Sequence, residues 1–398
     1  MKQKFSDRNF FIYKFLNDCL PIYALYAILF KEEGLSLAQI SLLFSFWSLV
    51  AVITEVPSGI LADRWNRKYM LFISAVLKAV CFLTWSFSNT FFSFALGFFF
   101  WGISESFSSG TEEGLLYDNL KNENRESSFG TIYGKGRFYS SLGTITGVVS
   151  GGILANFTGI SILSMASAAI TGINLFFVSK MSEKNYYSEK LKNGQVGFAK
   201  TFTDAVKICR KNRIILIGMI LLVFIIGVSS YLDEFDPLIV DDFGLGYIWI
   251  SIIFGTRFIF TAIGNRYAAK IDQKLISKNK IFLFSGTAGI LLLIFSVVWN
   301  QYVLPVFGVY CMIMTVAEVI QIDVIQNQIG EEGRTTVMSI ISLFQNIAMI
   351  VFCSIFALLS NGYSLRICFM LISIYGIAGL AAVFFIKKGA AIIATQNQ

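Results

Sequence analysis

Residues 37–68 read LAQISLLFSFWSLVAVITEVPSGILADRWNRK, an apolar run that ends in a charged turn. The apolar part, 37–61, is longer than the roughly 20 residues that a helix needs to cross the hydrocarbon core of a bilayer. The turn carries Arg64, Arg67 and Lys68, and a second apolar run begins at residue 69. Because short cytoplasmic loops are enriched in Lys and Arg, the stretch predicts two membrane-spanning helices joined on the cytoplasmic side.

Apolar runs of similar length recur along the whole chain. They lie at 9–30, 37–61, 69–88, 91–116, 130–155, 160–180, 214–238, 247–269, 280–299, 302–326, 336–358 and 364–386. We therefore predict an all-α membrane protein with twelve transmembrane helices in two pseudo-symmetric six-helix bundles. The bundles occupy 1–180 and 214–398, the second ending in a short cytoplasmic tail. Between them, 181–213 forms a polar, basic cytoplasmic loop, in which 196–209 is either an amphipathic helix on the inner leaflet or a solvated linker helix.

The composition agrees with a protein that is solvated by lipid. Hydrophobic residues make up 55% of the 398 residues and charged residues only 14%, whereas soluble domains carry about 25% charged residues. The chain has no histidine, and its six cysteines include no C-x-x-C pair. These absences disfavour imidazole metal sites, His-dependent nucleophiles and disulfide or zinc frameworks, so we expect neither a metal nor a cofactor.

The distribution of basic residues predicts the orientation. Most of the 32 Lys and Arg residues fall in segments that lie on one side of the predicted membrane, and Lys31 and Arg366 are the exceptions on the other side. Both termini are therefore expected in the cytoplasm of a bacterium, with the chain in its inner (plasma) membrane. The basic N-terminus is read as the start of a retained first span, since no small-residue cleavage site follows. The net charge of +7 reflects this topology and contact with anionic lipid, and nucleic acid is not an expected partner.

The turn after the second span carries a family motif. Residues 59–68, Gly-Ile-Leu-Ala-Asp-Arg-Trp-Asn-Arg-Lys, resemble the G-x-L-A-D-R-x-G-R-[KR] loop of the major facilitator superfamily, at the position where that family carries it. Asn66 stands where the family usually has Gly, a mild departure because Asn also tolerates left-handed backbone geometry. The resemblance implies that Gly59, Asp63, Arg64 and Arg67 form a gating loop that latches the two bundles.

Span five carries a second resemblance, to the antiporter motif of the drug exporters of the same superfamily. It rests on the glycines of this span, with Val148 where those exporters have Pro: Gly134, Gly143, Gly147, Gly151 and Gly152. The spacing also makes a smooth stripe for close helix packing, which requires no antiport. Span four lacks the Arg that these exporters often have there, and the second-half counterpart of the gating loop, around Gly264, is barely recognisable.

Charged side chains inside the predicted spans are the candidate functional residues, because a charge at the bilayer centre costs about 2.5–3.5 kcal/mol and usually faces the bundle interior. The candidates for substrate binding and proton coupling are Asp18, Lys78, Glu105, Arg137, Arg257 and Glu318. A carboxylate that alternates between an apolar setting and a cationic partner takes up and releases a proton. We expect Asp18 and Glu105 to act with Lys78 or Arg137, and Arg257 to act with Glu318.

Other acidic residues have simpler interpretations. Glu105, Ser109 and Glu112 would share one polar face of a continuous span four. Glu112 is also close enough to the cytoplasm to be solvated or to pair with Lys135 or Arg137. The acids between residues 233 and 236 either line the pathway or reach periplasmic water.

The sequence predicts a secondary active transporter of a small molecule that works by alternating access. The preferred form is proton-coupled efflux (antiport) of an amphipathic compound by a monomer. The alternatives are proton-driven uptake (symport) of a nutrient or metal chelate, and a membrane sensor that transports nothing. An enzyme is not expected: residues 130–136 approach a P-loop but lack the Ser/Thr after the lysine.

Overall fold

The computed structural model describes residues 5–182, 231–268, 280–326 and 334–374, together with residue 377. The predicted amphipathic helix of the central loop, most of span seven and about half of span twelve fall outside the described residues. Regular structure in the described part is helical. Seven of these helices (α3, α4, α7, α8, α10, α12 and α13 as defined below) are long and apolar enough to cross a membrane.

Within each described range, the helices follow one another through short connections, as the sequence predicts. In chain order they are α1 Asp7–Asp18, α2 Tyr26–Glu32, α3 Leu37–Arg64, α4 Arg67–Ser86, α5 Phe91–Ser108, α6 Thr111–Asn122, α7 Phe129–Thr158, α8 Ser161–Ser179, α9 Asp236–Asp242, α10 Tyr247–Ala268, α11 Lys280–Val298, α12 Leu304–Gln326, α13 Arg334–Ser360 and α14 Leu365–Ile374. The chain divides into two compact units, residues 1–198 with 244–255 and residues 199–243 with 256–398. The predicted bundle boundaries at 180 and 214 remain predictions.

The first predicted span is interrupted. Helix α1 ends at Asp18, the chain turns through 19–25, and α2 begins at Tyr26. Pro21 has no backbone N–H and cannot continue an α-helix at this point. The freed N–H of Ile22 donates instead to Ser167 Oγ of α8 at 3.1 Å. The turn therefore keeps its polar backbone satisfied inside an apolar environment, which is the condition for irregular backbone at membrane depth.

The fourth predicted span is interrupted as well. Helix α5 ends at Ser108, and Gly110 adopts a left-handed conformation with φ of 69° before α6 begins at Thr111. Glycine enters this region without steric cost. The expected continuous face of Glu105, Ser109 and Glu112 is therefore wrong, because a helix break separates Glu105 from Glu112.

An aromatic core fills the part of the first unit where α2, α3, α4 and α5 meet. Trp85 is almost fully buried, and its indole N–H donates to the Phe94 carbonyl at 3.1 Å. The Phe30 ring lies edge-on to Trp85 at 5.1 Å and packs on Phe94 at 4.5 Å. Gly97 has no room for a side chain, since an added Cβ would lie 2.0 Å from Trp85 Nε1. These buried aromatic side chains give the first unit a rigid apolar scaffold.

A short sequence pattern occurs once in each half of the chain. Residues 34–44 (GLSLAQISLLF) and 244–254 (GLGYIWISIIF) share Gly-Leu, Ile-Ser and Phe at matching places. Gly34 and Gly244 both have positive φ, 84° and 73°, and each ends the turn after a seven-residue helix. The matching turns support the predicted internal symmetry at the level of local structure.

Candidate functional site

In the first unit, charged groups gather at the interrupted end of α1. Asp18 is half-buried, accepts a hydrogen bond from Asn17 Nδ2 at 2.9 Å and accepts a very short one from Ser140 Oγ of α7. Lys78 of α4 donates to the free Asn17 carbonyl at 3.0 Å. A cation at the C-terminal end of a helix is stabilised by the carbonyls that lack intrahelical partners there. Lys78 therefore connects α4 with the C-terminal end of α1.

Lys78 also connects this helix end to Glu105. Its ammonium lies 5.9 Å from the centre of the Trp101 ring and interacts electrostatically with the Glu105 carboxylate on α5. Glu105 is exposed although it lies within a predicted span, and Glu55 of α3 acts on it as a second negative charge. The buried indole N–H of Trp47 lies beside the same carboxylate without a hydrogen bond of normal geometry. The structure thus places Lys78 near Glu105 and at the helix end that carries Asp18.

A second pair of charges lies one turn earlier on α1. Lys14 binds Glu112 of α6 at 2.6 Å, and the buried Tyr13 hydroxyl donates to the same carboxylate at 2.6 Å. Tyr133 of α7 donates to Glu113 at 3.0 Å and interacts with Arg137, which is itself exposed. The partners of Glu112 are thus on α1, whereas the sequence suggested Lys135 or Arg137.

Outside the membrane-spanning segments, an ion-pair network holds the start of α1 against the turn after α6. Arg125, in the turn after α6, binds Asp7 at 2.7 Å and Glu123 at 3.1 Å. Glu123 also accepts a hydrogen bond from the Phe5 backbone N–H at 2.7 Å. The hydrogen bonds to Asp7 and then to Glu123 raise the pKa of Arg125, so this guanidinium stays charged at any working pH.

The second unit holds its own cluster, centred on Arg257 of α10. Arg257 binds Asp236 Oδ2 of α9 at 2.5 Å, and both side chains are largely buried. Electrostatic interactions also connect Arg257 with Asp233, Glu234 and the Cys311 thiol. Glu318 of α12 is half-buried and interacts with Asp233, which places it at the edge of the cluster. Arg257 thus pairs with Asp236, where the sequence suggested Glu318.

The predicted gating loop is described in part. Arg67 is buried and binds Asp118 of α6 at 2.7 Å. Gly114 makes room for the guanidinium, because a Cβ there would lie 2.5 Å from Arg67 Cζ. Asn66 caps α4, because its Oδ1 accepts a hydrogen bond from the Tyr69 N–H at 3.1 Å. This cap is a structural role for Asn at the position where the family has Gly. The predicted loop residues Gly59, Asp63 and Arg64 belong to the last turns of α3, and their surroundings lie outside the described part.

The glycines of span five have different surroundings. A Cβ added at Gly143, Gly147 or Gly151 would lie 2.2, 2.4 or 2.0 Å from backbone atoms of residues 15, 20 and 21, which belong to the end of α1 and its turn. Gly152 would meet Ser251 Oγ at 2.4 Å, a residue of the same compact unit. Gly134 has no atom within 4 Å of its added Cβ. The stripe therefore allows the interrupted segment of α1 to lie directly on α7, and Gly134 is not part of this contact.

Comparison with known proteins agrees with this architecture. A sequence model described as Major Facilitator Superfamily matches residues 10–353. The chain belongs to the major facilitator superfamily. The predicted all-α architecture with twelve transmembrane helices is that of this superfamily, and the chain is a secondary transporter of its type. Among curated proteins, sequence comparison finds no relative.

Solved structures of several transporters share the fold of this chain over nearly its whole length, at low sequence identity. The nucleoside transporter NupG is 15% identical with a TM-score of 0.75, over 96% of this chain and 99% of its own. A D-xylose–proton symporter is 13% identical with a TM-score of 0.71, over 95% of both chains. A POT family transporter in complex with 5-aminolevulinic acid is 12% identical with a TM-score of 0.71, over 97% of this chain and 98% of its own.

The roles of several polar residues of this major facilitator emerge from the structure. Asn17 supplies the carbonyl that Lys78 binds, Ser140 binds Asp18, and Asp236 binds Arg257. Proline was a partial sequence signal for two of them, because Asn17 lies four residues before Pro21 and Asp236 directly precedes Pro237. Ser140 had no such signal, since serine is common on membrane helices and its partner lies 122 positions earlier.

Proposed function

We propose that the chain is a proton-coupled antiporter that exports an amphipathic small molecule. The observation that carries the proposal is that each unit holds more carboxylates than cations around a buried or partly buried cation: Asp18 and Glu105 near Lys78, and Asp236 with Arg257. In the first unit these groups lie at the interrupted end of α1. Such groups persist in lipid when they serve a substrate or ion pathway. Interrupted helices at membrane depth are where transporters expose backbone and side-chain groups to their ligands.

The antiport proposal requires that protons and the exported compound bind to the protein in competition. A deprotonated carboxylate attracts the Lys78 ammonium, and this attraction is lost when the carboxylate gains a proton. Because the α7 glycines pack on the end of α1 and Ser140 binds Asp18, a movement of α1 relative to α7 changes the surroundings of Asp18. The same proposal places the protein in the bacterial inner membrane as a monomer with both termini in the cytoplasm.

Proton-driven uptake of a nutrient is the second candidate. The observation that favours it is the shared fold with a D-xylose–proton symporter and with a nucleoside transporter. Growth-inhibitor screening of cells that overproduce the protein supplies a substrate, and radiolabelled uptake in everted and right-side-out vesicles then distinguishes export from import. Accumulation in everted vesicles supports export, and accumulation in right-side-out vesicles supports uptake.

Neutralising the first-unit acids is expected to abolish coupling. Asp18→Asn and Glu105→Gln each keep the shape of the side chain and remove its titratable proton, so proton-driven flux should fall at least tenfold, about 1.4 kcal/mol or more in the transport barrier. The measurement is the decay of an imposed pH gradient in everted vesicles after substrate is added. Glu32→Gln, at the exposed end of α2, is the matched control and should transport normally. Normal flux by both Asp18→Asn and Glu105→Gln would show that these acids do not carry the protons.

A further inference from the structure

Carboxylates outnumber cations in the cluster of the second unit. Asp233, Glu234 and Asp236 all interact with the single guanidinium of Arg257, and Glu318 interacts with Asp233. Arg257 is the only cation among the described residues that act on these four acids. One guanidinium neutralises one carboxylate, so the cluster retains a negative potential that a bound cation or added protons must balance.

One oxygen of this cluster is a buried acceptor without a partner. Asp236 Oδ2 binds Arg257, whereas Asp236 Oδ1 has no hydrogen bond in the described structure and its side chain is 7% exposed. Buried polar atoms in proteins nearly always have a hydrogen-bond partner, and an exception calls for an explanation such as a missing ligand. The atom without a partner carries negative charge, so its ligand is a donor or a cation.

The first unit shows the same imbalance independently. The acids that interact with one another or with the lysines there are Asp18, Glu55, Glu105, Glu112 and Glu113, and the cations are Lys14, Lys78 and Arg137. Trp101 already offers its ring face to the Lys78 ammonium. Trp faces attract organic ammonium groups by the same cation–π interaction. The first unit therefore also holds more carboxylates than cations among these residues, and its Trp101 ring already faces one of those cations.

A small metal ion is a poor match for these acids. Among the described residues, no group of three or more His, Cys, Asp or Glu side chains is arranged to hold a metal ion. An organic cation needs no inner coordination sphere, because a charge at contact distance from a carboxylate and apolar walls around its substituents are sufficient. The buried neighbours of Asp236 along α9 are apolar, namely Pro237, Leu238 and Ile239.

We infer that the transported compound is an organic cation whose positive group binds at Asp236 in the second unit. The inference rests on the proposed transport function and specifies the charge of its substrate. Arg257 holds Asp236 Oδ2 and leaves Oδ1 for the ligand. Asp233, Glu234 and Glu318 add negative potential without contacting the ligand.

The test uses two probes of the same size and opposite charge. Tetraphenylphosphonium and tetraphenylborate are each equilibrated with the purified full-length protein in detergent, and bound probe is measured by equilibrium dialysis. Wild-type protein is expected to bind the phosphonium at least tenfold more tightly than the borate. Asp236→Asn should weaken phosphonium binding at least tenfold, and Glu318→Gln should weaken it less. Asp242→Asn, on the exposed end of the same helix, is the matched control and should bind as wild type.

The outcomes separate the inference from the proposed function. If wild-type protein binds the two probes equally, or does not bind the phosphonium, the inference is overturned. This result does not depend on whether the variants fold. Unchanged phosphonium binding by folded Asp236→Asn overturns the assignment of the binding residue. Proton release on phosphonium binding, followed with a pH dye in weakly buffered solution, reports the antiport mechanism. Tight phosphonium binding without proton release contradicts the proposed antiport, but it still supports the inference that the substrate is an organic cation.

Discussion

Gly147→Ala is expected to cost about 1–3 kcal/mol of stability and to abolish most transport. The added Cβ would lie 2.4 Å from the Leu20 backbone nitrogen and 2.9 Å from the Cys19 carbonyl carbon, so α1 must move away from α7. Backbone atoms cannot rotate aside as a flexible side chain does. Because Ser140 and Asp18 join the same two helices, the movement also breaks the contact that orients Asp18. Function should therefore suffer more than stability.

Gly134→Ala is the matched control on the same helix. Its added Cβ has no atom within 4 Å, and alanine is the better helix former, so we expect unchanged or slightly higher stability. The measurements are the temperature at which half of the detergent-solubilised protein aggregates and the initial rate of proton-driven flux. Equal behaviour of Gly134→Ala and Gly147→Ala would contradict a specific contact between the glycine stripe and the end of α1.

Arg67→Gln is expected to destabilise the protein by about 3–5 kcal/mol, because it removes the guanidinium that pairs with the buried Asp118 carboxylate. The pair is largely shielded from water, with side-chain exposures of 10% and 4% for Arg67 and Asp118. Gln is uncharged and shorter than Arg, so it cannot replace the contact at 2.7 Å. The measurement is thermal stability in detergent together with the yield of monodisperse protein.

A double variant distinguishes two causes of the stability loss, the unbalanced buried charge of Asp118 and the lost packing of the Arg67 side chain. Arg67→Gln with Asp118→Asn removes both charges, and it should recover at least half of the stability lost by Arg67→Gln. Lys135→Gln, an exposed change on α7, should remain within about 0.5 kcal/mol of wild type. A double variant as unstable as Arg67→Gln would show that packing around Gly114, and not the buried charge, sets the cost.

Hydropathy predicted the number and order of the spans but not their interruptions. A window of about 20 residues averages over Gly110 and over the turn at 19–25, because both are surrounded by apolar residues. Pro21 was a visible signal for the first break. Ser109-Gly110 was a weaker signal for the second break, since this dipeptide is common in turns but a helix also tolerates a single glycine.

The positions of candidate charges could be predicted from sequence, and their partners could not. Asp18, Lys78, Glu105, Arg257 and Glu318 stand out because charge is costly in lipid. The pair between Lys14 and Glu112 spans 98 positions, and its formation depends on how α6 returns toward α1. Such distant contacts depend on helix rotation and depth, which a single sequence does not give.

The most direct test of the carrier interpretation is the access of water to position 105. Glu105→Cys is treated with a membrane-impermeant cationic methanethiosulfonate in right-side-out and everted vesicles, with wild type as the blank because its described cysteines are buried. Leu96→Cys, nine residues earlier on the opposite face of α5, is the lipid-facing control. We predict that position 105 is modified from both sides of the membrane and that position 96 is modified from neither. Modification from one side only, or none at position 105, would contradict alternating access at this carboxylate.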